Sequence, residues 1–231
     1  MKLALVERLL AAREEGRPAC LVRFLRTGEV ALVIGGELVV GPELPDGVLD
    51  AIREAHRRDR STTIETAAGP LFLQVFNPPL RLIVVGAVHI AQALVPMAAL
   101  AGYAVTVVDP RRGFATAERF PNVTLVDAWP DEAMESLAPD SRTAVVTLTH
   151  DPKLDDPALD VALRSEAFYI GALGSKRTHA ARLERLSALG HDRAALARIH
   201  GPAGLDIGAV SPAEIAIAIL AQMTQVLRRE G

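Results

Sequence analysis

The stretch LIVVGAVHIA, Leu82–Ala91, decides the fold of this 231-residue chain. Apolar residues, two of them valines, run into Gly86, and a helical pattern follows. A buried strand, a tight glycine turn and a helix open a dinucleotide-binding unit, in which the turn needs further small residues. Gly86 and Ala91 meet that need, but Val88 occupies the second glycine position and would crowd a pyrophosphate. The stretch therefore indicates the fold and matches the NAD fingerprint poorly.

Beyond this turn, strand and helix patterns alternate to the end of the chain. Predicted strands are Leu82–Val85, Val105–Val108, Val123–Val126, Ala144–Thr147 and Phe168–Ile170. Predicted helices are His89–Ala101, Pro130–Leu137, Pro157–Arg164, Lys176–Leu189 and Pro212–Arg229. The alternation predicts an α/β class, with a Rossmann-like doubly wound parallel sheet over residues 80–231. Pro96, inside the first helix, predicts a kink or an early end.

A smaller α+β domain is predicted over residues 1–77. Its first helix carries Leu3, Val6, Leu9 and Leu10, and its second, capped by Asp46, carries Val48, Leu49, Ile52 and Ala55. Its strands are Cys20–Leu25, Glu29–Ile34, Leu38–Val40, and a final pair, Thr62–Glu65 and Leu71–Phe76, around Gly69-Pro70. Asn77-Pro78-Pro79 marks the boundary, because two prolines remove two amide donors and fix the backbone.

Composition excludes several classes of protein. The formal net charge of −3 lacks the basic excess of a nucleic-acid-binding domain. Cys20 is the only cysteine, which excludes an intrachain disulfide and any multi-cysteine metal site and fits a cytoplasmic location. The uncharged run Leu82–Val108 is broken by Gly86, Pro96 and Gly102, so we interpret it as strand, helix and strand rather than a membrane span. No nucleophile–base motif appears, so no catalytic residue is assigned, and metal ligation is left open.

Polar residues follow the predicted strands on the edge where such sheets bind ligands. Asp109 ends the second strand, where an acidic residue would meet a ribose hydroxyl. Arg111 and Arg112 come next, and guanidinium groups suit phosphate, although an exposed loop of solvated charges is the alternative. His150, in Thr149-His150-Asp151, suits a general base, a metal ligand or a substrate donor, or the pair simply caps a turn.

Two later loops carry the clearest ligand signals. Ser175 is a plausible N-cap after Gly174, which places Lys176 and Arg177 in the first helical turn. Cations in the first turn interact unfavourably with the helix dipole. They would, however, help the backbone amides of that turn to hold an anion. The second loop is the glycine-rich segment His200–Glu214. Within it, Ser211, Pro212 and Glu214 form a capping box, so helix capping explains these three residues. His200 and Asp206 have no such structural explanation.

These segments, in this order, resemble the XdhC/CoxI family of accessory proteins for molybdenum hydroxylases. The match runs through Val85–His89, Val108–Phe114, Thr149-His150, Tyr169–Ser175, His200–Ala209 and Ser211–Ala216. The resemblance implies a chaperone rather than a catalyst, which binds and protects the molybdenum cofactor and aids its sulfuration and insertion into an enzyme of the xanthine dehydrogenase type. Candidate partners are the apo-hydroxylase, a cysteine desulfurase and a second copy of the chain.

Two departures from the family stand out. The family usually has a glycine where this chain has Ala87-Val88, and its N-terminal domain tends to carry a cysteine motif near Gly41-Pro42-Glu43. Loss of that cysteine would change any role in handling molybdenum or sulfur.

The expected cofactor-binding residues are Gly86, His89, Asp109, Arg111, His150, Gly174, Ser175, Lys176, Arg177, His200 and Asp206. Arg111, Lys176 and Arg177 are expected to hold phosphate of the mono- or dinucleotide cofactor. His150, His200 and Asp206 are expected to contact the pterin or a partner. One alternative is an NAD(P)-dependent oxidoreductase, with Asp109 on a ribose and His150 as proton donor. A second is a scaffold that binds no ligand and only docks an enzyme.

Overall fold

The computed structural model describes residues 3–229, which divide into two compact units between Pro78 and Pro79. Each unit has its own hydrophobic core.

The first unit is a five-stranded antiparallel sheet with a helix on each face. Its elements are α1 (Leu3–Glu14), β1 (Ala19–Phe24), β2 (Val30–Ile34), β3 (Glu37–Val40), α2 (Val48–Arg57), β4 (Thr62–Thr66) and β5 (Gly69–Phe76), in the sheet order β3-β2-β1-β5-β4. Successive side chains of β1 point to opposite faces of the sheet, so this strand contributes to two separate apolar clusters. Cys20 packs with Ile52 of α2, whereas Leu21 packs with Leu9 of α1.

Three local predictions for this unit were wrong. The buried face of α1 is formed by Leu5, Leu9 and Ala12, while Leu3 and Leu10 are exposed. No side chain caps α2, since Gly47 rather than Asp46 occupies the N-cap position. Gly69-Pro70 begins β5, so the turn between the last two strands falls at residues 67–68.

The second unit is the doubly wound parallel sheet that the sequence predicts. Its elements are β6 (Leu80–Val85), α3 (His89–Leu100), β7 (Tyr103–Val108), β8 (Thr124–Val126), α4 (Pro130–Leu137), β9 (Thr143–Thr147), α5 (Pro152–Arg164), β10 (Tyr169–Ala172), α6 (Lys176–Ala188), α7 (Arg193–Leu196), β11 (Ile199–His200) and α8 (Pro212–Arg229). The strand order is β11-β10-β9-β6-β7-β8, and all pairs are parallel. This is the order of a Rossmann fold, with β6 as its first strand.

Two apolar layers sandwich this sheet. Leu82 and Val84 of β6 face α3 and α8, whereas Ile83 and Val85 face the layer of α4, α5 and α6. A strand buried on both faces reads as a continuous apolar run, which explains the opening pattern of the sequence. The uncharged run Leu82–Val108 forms β6, α3 and β7, and no helix within residues 3–229 is long and apolar enough to cross a membrane.

Helix boundaries in this unit differ from the prediction at two prolines. Helix α5 begins at Pro152, five residues before the predicted start, because Asp151 caps it by accepting a hydrogen bond from the Lys153 amide. Pro157 therefore lies inside the helix rather than at its first position. Helix α3 continues through Pro96 to Leu100. The prediction missed α7 and β11, which are four and two residues long and too short to show periodicity.

Candidate functional site

The candidate site lies at the carboxyl edge of the parallel sheet, where β6 and β9 are neighbours. The connections after these strands diverge, since α3 packs on one face of the sheet and α5 on the other. Ligands of doubly wound sheets bind in the crevice that such a divergence opens.

The Gly86 turn is shaped by the loop that follows β9. Gly86 has a φ of +107°, and a Cβ atom placed on it would lie 2.5 Å from Cγ2 of Thr149. Glycine is therefore required here by both backbone conformation and space. Val88 is partly buried and packs against the core cluster that includes Leu82 and Val84. His89 is exposed at the first position of α3.

Asp109 serves as an anchor for this turn. Its carboxylate accepts hydrogen bonds from the Ala87 amide at 2.8 Å and from Nε and Nη2 of Arg111 at 2.8 and 2.7 Å. Burial alone would raise the pKa of Asp109, but the hydrogen bonds from Arg111 and Ala87 outweigh it and hold the pKa below its ordinary value. Because both carboxylate oxygens already accept hydrogen bonds, Asp109 is poorly placed to receive a ribose hydroxyl.

Arg111 and Arg112 pair with different carboxylates, Arg111 with Asp109 and Arg112 with Asp127. Arg111 keeps part of its side chain exposed, with its guanidinium carbon 4.2 Å from the centre of the Phe114 ring. Arg112 is nearly fully exposed and donates a hydrogen bond to Asp127 at 2.9 Å. Of the two arginines, only Arg111 pairs with a buried carboxylate.

His150 occupies an unusual backbone conformation after β9. Its φ is +62°, a left-handed value that is uncommon for a residue other than glycine. Asp155 accepts hydrogen bonds from the amides of His150 and Thr149 at 3.1 and 3.3 Å, and from Oγ1 of Thr149 at 2.7 Å. The imidazole is exposed. The loop thus leaves His150 accessible at the edge of the sheet, while a buried carboxylate holds its backbone.

The start of α6, where the sequence predicts an anion site, lies beside His150. Ser175 caps the helix by accepting a hydrogen bond from the Thr178 amide at 3.1 Å, as predicted from the sequence. Lys176 and Arg177 are exposed in the first turn. Gly174 has a φ of +136°, and a Cβ atom on it would lie 3.7 Å from Nδ1 of His150. The tertiary structure therefore places His150 next to the residues predicted to hold an anion.

The segment after β11 closes a cleft on this edge. The cleft has a volume of about 360 Å³, and Lys176, Asp206 and apolar residues such as Leu173, Leu205 and Ile207 line it. The segment is pinned at Ala203, whose amide donates to the Ala172 carbonyl at 3.0 Å. Asp206 is exposed within the cleft.

His200 has a structural role that the sequence does not reveal. Its ring stacks on Tyr169 with a centroid separation of 4.9 Å and an interplanar angle of 11°. The Tyr169 hydroxyl donates to Oε1 of Gln222 at 2.6 Å, and that oxygen also accepts from the Gly204 amide at 2.8 Å. Burial lowers the pKa of His200 below its ordinary value. The His200 ring thus belongs to a packed layer that holds the glycine-rich segment.

Sequence reasoning assigned no role to two buried charged residues beneath these loops, Asp155 and Arg182, or to the partly buried His179. Asp155 and Arg182 are each 1% exposed, and a Cβ atom on Gly201 would lie 2.1 Å from Nδ1 of His179. Nothing in the helical pattern separates Arg182 from its exposed neighbours, although the acidic pair Asp155-Asp156 near a helix start is a weak signal. Within residues 3–229, no group of three or more His, Cys, Asp and Glu residues is placed to hold a metal ion.

Comparison with known proteins places these features in a family. The family model of the XdhC Rossmann domain matches residues 82–223. The molybdenum cofactor insertion chaperone PaoD of Escherichia coli K12 is 34% identical over 151 residues, which are 65% of this chain and 41% of PaoD. A probable xanthine dehydrogenase subunit from Bacillus subtilis 168 is 32% identical over 69% of this chain and 46% of its own length. The uncharacterized protein YqeB of Escherichia coli K12 is 34% identical over 68% of this chain and 29% of its own length.

A solved structure extends the likeness to both units. The crystal structure of a xanthine dehydrogenase from Bacillus halodurans superposes with a TM-score of 0.75 at 26% identity, covering 98% of this chain and 64% of that one. The chain spans less than half the length of the curated relatives it matches. The resemblance to XdhC proteins predicted from the sequence is confirmed, and the chain belongs to the XdhC Rossmann domain family.

Proposed function

We propose that this chain binds the molybdenum cofactor at the carboxyl edge of its parallel sheet, protects it and aids its insertion into a molybdenum hydroxylase of the xanthine dehydrogenase type. Two relatives support this proposal by their names, one a molybdenum cofactor insertion chaperone and the other a probable xanthine dehydrogenase subunit. The chain would act as a chaperone, and none of its residues is assigned a catalytic step.

The observation that carries the proposal is the cradle at the start of α6. Lys176 and Arg177 lie in the first turn, where each cation costs a few tenths of a kcal/mol against the helix dipole. The same positions favour a phosphate, because the amides of the first turn and both cations can approach it together. Glycine is favoured at position 174, since its φ is +136° and a Cβ atom there would lie 3.1 Å from the Thr178 side chain. The donor set therefore fits the phosphate of a pterin cofactor.

The remaining site residues would hold the rest of the cofactor. His150 adjoins the cradle, and Asp206 shares the cleft with Lys176, so both suit the polar edge of a pterin. Arg111 would reach phosphate with the exposed part of its guanidinium while keeping its bonds to Asp109. His200 would contribute by supporting the segment that carries Asp206.

Sulfuration, if this chain takes part, would use sulfur supplied by a partner such as a cysteine desulfurase. Cys20 is the only cysteine of the sequence and is fully buried in the first unit. Burial raises its pKa to about 12, so the group stays a thiol rather than the reactive thiolate. This chain also has Gly41 near the position where the family tends to carry a cysteine. A Cβ atom on Gly41 would lie 2.5 Å from the Ala31 backbone, so the structure leaves no room for a side chain there.

Co-purification tests the proposal. The protein is isolated from cells that make the cofactor, oxidised, and assayed for the fluorescent pterin derivative. We expect stoichiometric pterin with the unaltered chain and little with the double variant Lys176→Ala, Arg177→Ala. Arg193→Ala is the control, since Arg193 is also exposed in the first turn of a helix but lies beyond the far end of α6. Equal pterin retention by the double variant would refute the cradle.

Two further results would replace the proposal with its alternatives. Micromolar binding of NAD(H) or NADP(H) in a calorimetric titration, without bound pterin, would favour the oxidoreductase. Activation of an apo-hydroxylase by the double variant as strongly as by the unaltered chain would favour a scaffold that binds no ligand.

A further inference from the structure

Two buried charged residues join the loops that form the proposed site. Asp155 of α5 and Arg182 of α6 have side chains that are 1% and 2% exposed, and Oδ2 of Asp155 lies 3.6 Å from Nη2 of Arg182. Burying such a pair costs more desolvation free energy than a well-packed apolar pair would, so the pair needs a reason beyond stability.

The Asp155 carboxylate holds one loop. It accepts the amides of Thr149 and His150 together with the Thr149 hydroxyl, which are three donors from the turn after β9. The left-handed backbone of His150 needs such support, since a residue other than glycine adopts it only where the surroundings impose it.

The Arg182 guanidinium holds the other loop. Its Nη2 donates to the carbonyl of Leu173 at 2.8 Å, immediately before Gly174 and the cap of α6. Nε and Nη1 of the same side chain are buried and have no hydrogen-bond partner within residues 3–229. Burial lowers the pKa of Arg182, and Asp155 acts in the opposite direction.

The pair therefore bridges the turn that carries His150 and the turn that leads into the cradle. One end fixes His150 and the other fixes the carbonyl before Gly174, and the His150 ring lies against Gly174. A binding constellation keeps its geometry only when the residues beneath it are held in this way.

We propose that Asp155 and Arg182 are positioning residues that set the distance between His150 and the anion cradle at Gly174–Arg177. The role in ligand binding rests on the proposed function, whereas the coupling of the two loops can be measured without any ligand.

A second pair of the same helices provides a matched control. Asp156 accepts hydrogen bonds from Arg185, at 3.0 Å from Nη2, and so also joins α5 to α6. None of the bonds found for this pair involves the Thr149-His150 turn or Leu173 within the part of the chain described. Variants of Asp156 therefore remove a helix–helix ion pair and a carboxylate near Arg182, without removing a hydrogen bond to either loop.

The first measurement is hydrogen exchange of the Thr149 and His150 amides in the purified full chain. We expect both amides to be protected in the unaltered chain and in Asp156→Asn. In Asp155→Asn the exchange of at least one of the two amides should rise at least tenfold, because the carboxamide keeps one acceptor oxygen, whereas the Thr149 amide donates to Oδ1 of Asp155 and the His150 amide to Oδ2. Protection of both amides that persists in Asp155→Asn would overturn the positioning role, whether or not the chain binds a cofactor.

The second measurement is the dissociation constant for molybdopterin extracted from a purified molybdenum enzyme. We expect Asp155→Asn and Arg182→Met to weaken binding at least tenfold, a typical loss when a supporting residue is removed at metal sites. Asp156→Asn should bind as the unaltered chain does. Equal binding by all variants, with amide protection lost, would overturn the positioning role.

Failure of the proposed function gives a different pattern. If the unaltered chain binds no molybdopterin, that proposal fails, and the exchange data alone decide whether Asp155 positions the loop. If Asp155→Asn does not fold, Arg182→Met removes the cation 3.6 Å from Oδ2 of Asp155, the oxygen that accepts from the His150 amide, and should raise exchange of that amide. Unchanged exchange in that variant would overturn the role.

Discussion

Replacing Gly86 with alanine tests the geometry of the turn that opens the parallel sheet. The new Cβ atom would lie 2.5 Å from Cγ2 of Thr149 and 3.3 Å from the Thr149 amide nitrogen, and the backbone φ of +107° is unfavourable for any residue with a side chain. Two separate penalties therefore arise, one from the backbone and one from the contact.

The two penalties can be estimated separately. The left-handed backbone costs alanine about 1–2 kcal/mol relative to glycine. Forcing a methyl group into a packed position costs about 1–3 kcal/mol more. We therefore expect Gly86→Ala to lower the free energy of unfolding by about 2–5 kcal/mol.

Urea unfolding of three variants separates the terms. Gly102→Ala is the control for the backbone, because Gly102 has a φ of +89° and a Cβ atom placed on it would meet no non-adjacent residue of the described chain within 4 Å. It should cost only about 1–2 kcal/mol. Thr149→Ser removes the Cγ2 atom and keeps the hydroxyl that donates to Asp155. Added to Gly86→Ala, it should recover about 1–2 kcal/mol through coupling between neighbouring residues. Equal costs for both alanines, with no recovery on adding Thr149→Ser, would refute the contact.

Three further predictions concern buried polar groups. Burial lowers the pKa of His200, so the stability it contributes is complete above the ordinary histidine pKa of about 6.5 and is lost as pH falls through the lowered pKa. His200→Gln should therefore flatten the fall in unfolding free energy between pH 7 and pH 5, and an unchanged slope would contradict this. Cys20 should react with a disulfide reagent at pH 8 only in urea, because its thiol is buried and its pKa is about 12; rapid reaction of the folded chain would show that the first unit opens. Gln222→Leu removes the acceptor of both Tyr169 and Gly204 and should cost about 2–4 kcal/mol in urea unfolding, whereas Tyr169→Phe should cost only about 1 kcal/mol. Equal costs would mean that Gln222 does not bridge the two groups.

The sequence alone predicted the architecture of the second unit. Each buried strand of the sheet is an apolar run because both of its faces are covered, and this property is local enough to read along the chain. Two helix caps of this unit could also be predicted, since Ser175 and Glu214 act within one helical turn of their own positions. Signals of this kind need no knowledge of distant residues.

Short elements and buried charged residues could not be predicted from the sequence. Helix α7 and strand β11 are too short for periodicity, and the early start of α5 depends on the capping bond of Asp151. Arg182 occupies a helix rich in arginine, and only the packing of α6 against α5 decides that this arginine is buried beside Asp155.

For the candidate site too, some features could be predicted from the sequence, and others required the tertiary structure. The sequence by itself determined which residue types stand at the carboxyl ends of the strands, because strand ends and helix caps are local patterns. Only the tertiary structure decided that His150 lies against Gly174, that Asp109 already holds Arg111, and that His200 packs on Tyr169. The two histidine pairs are far apart in sequence, and parallel strand pairing sets their distances across the sheet. The Asp109–Arg111 pair depends instead on side-chain direction.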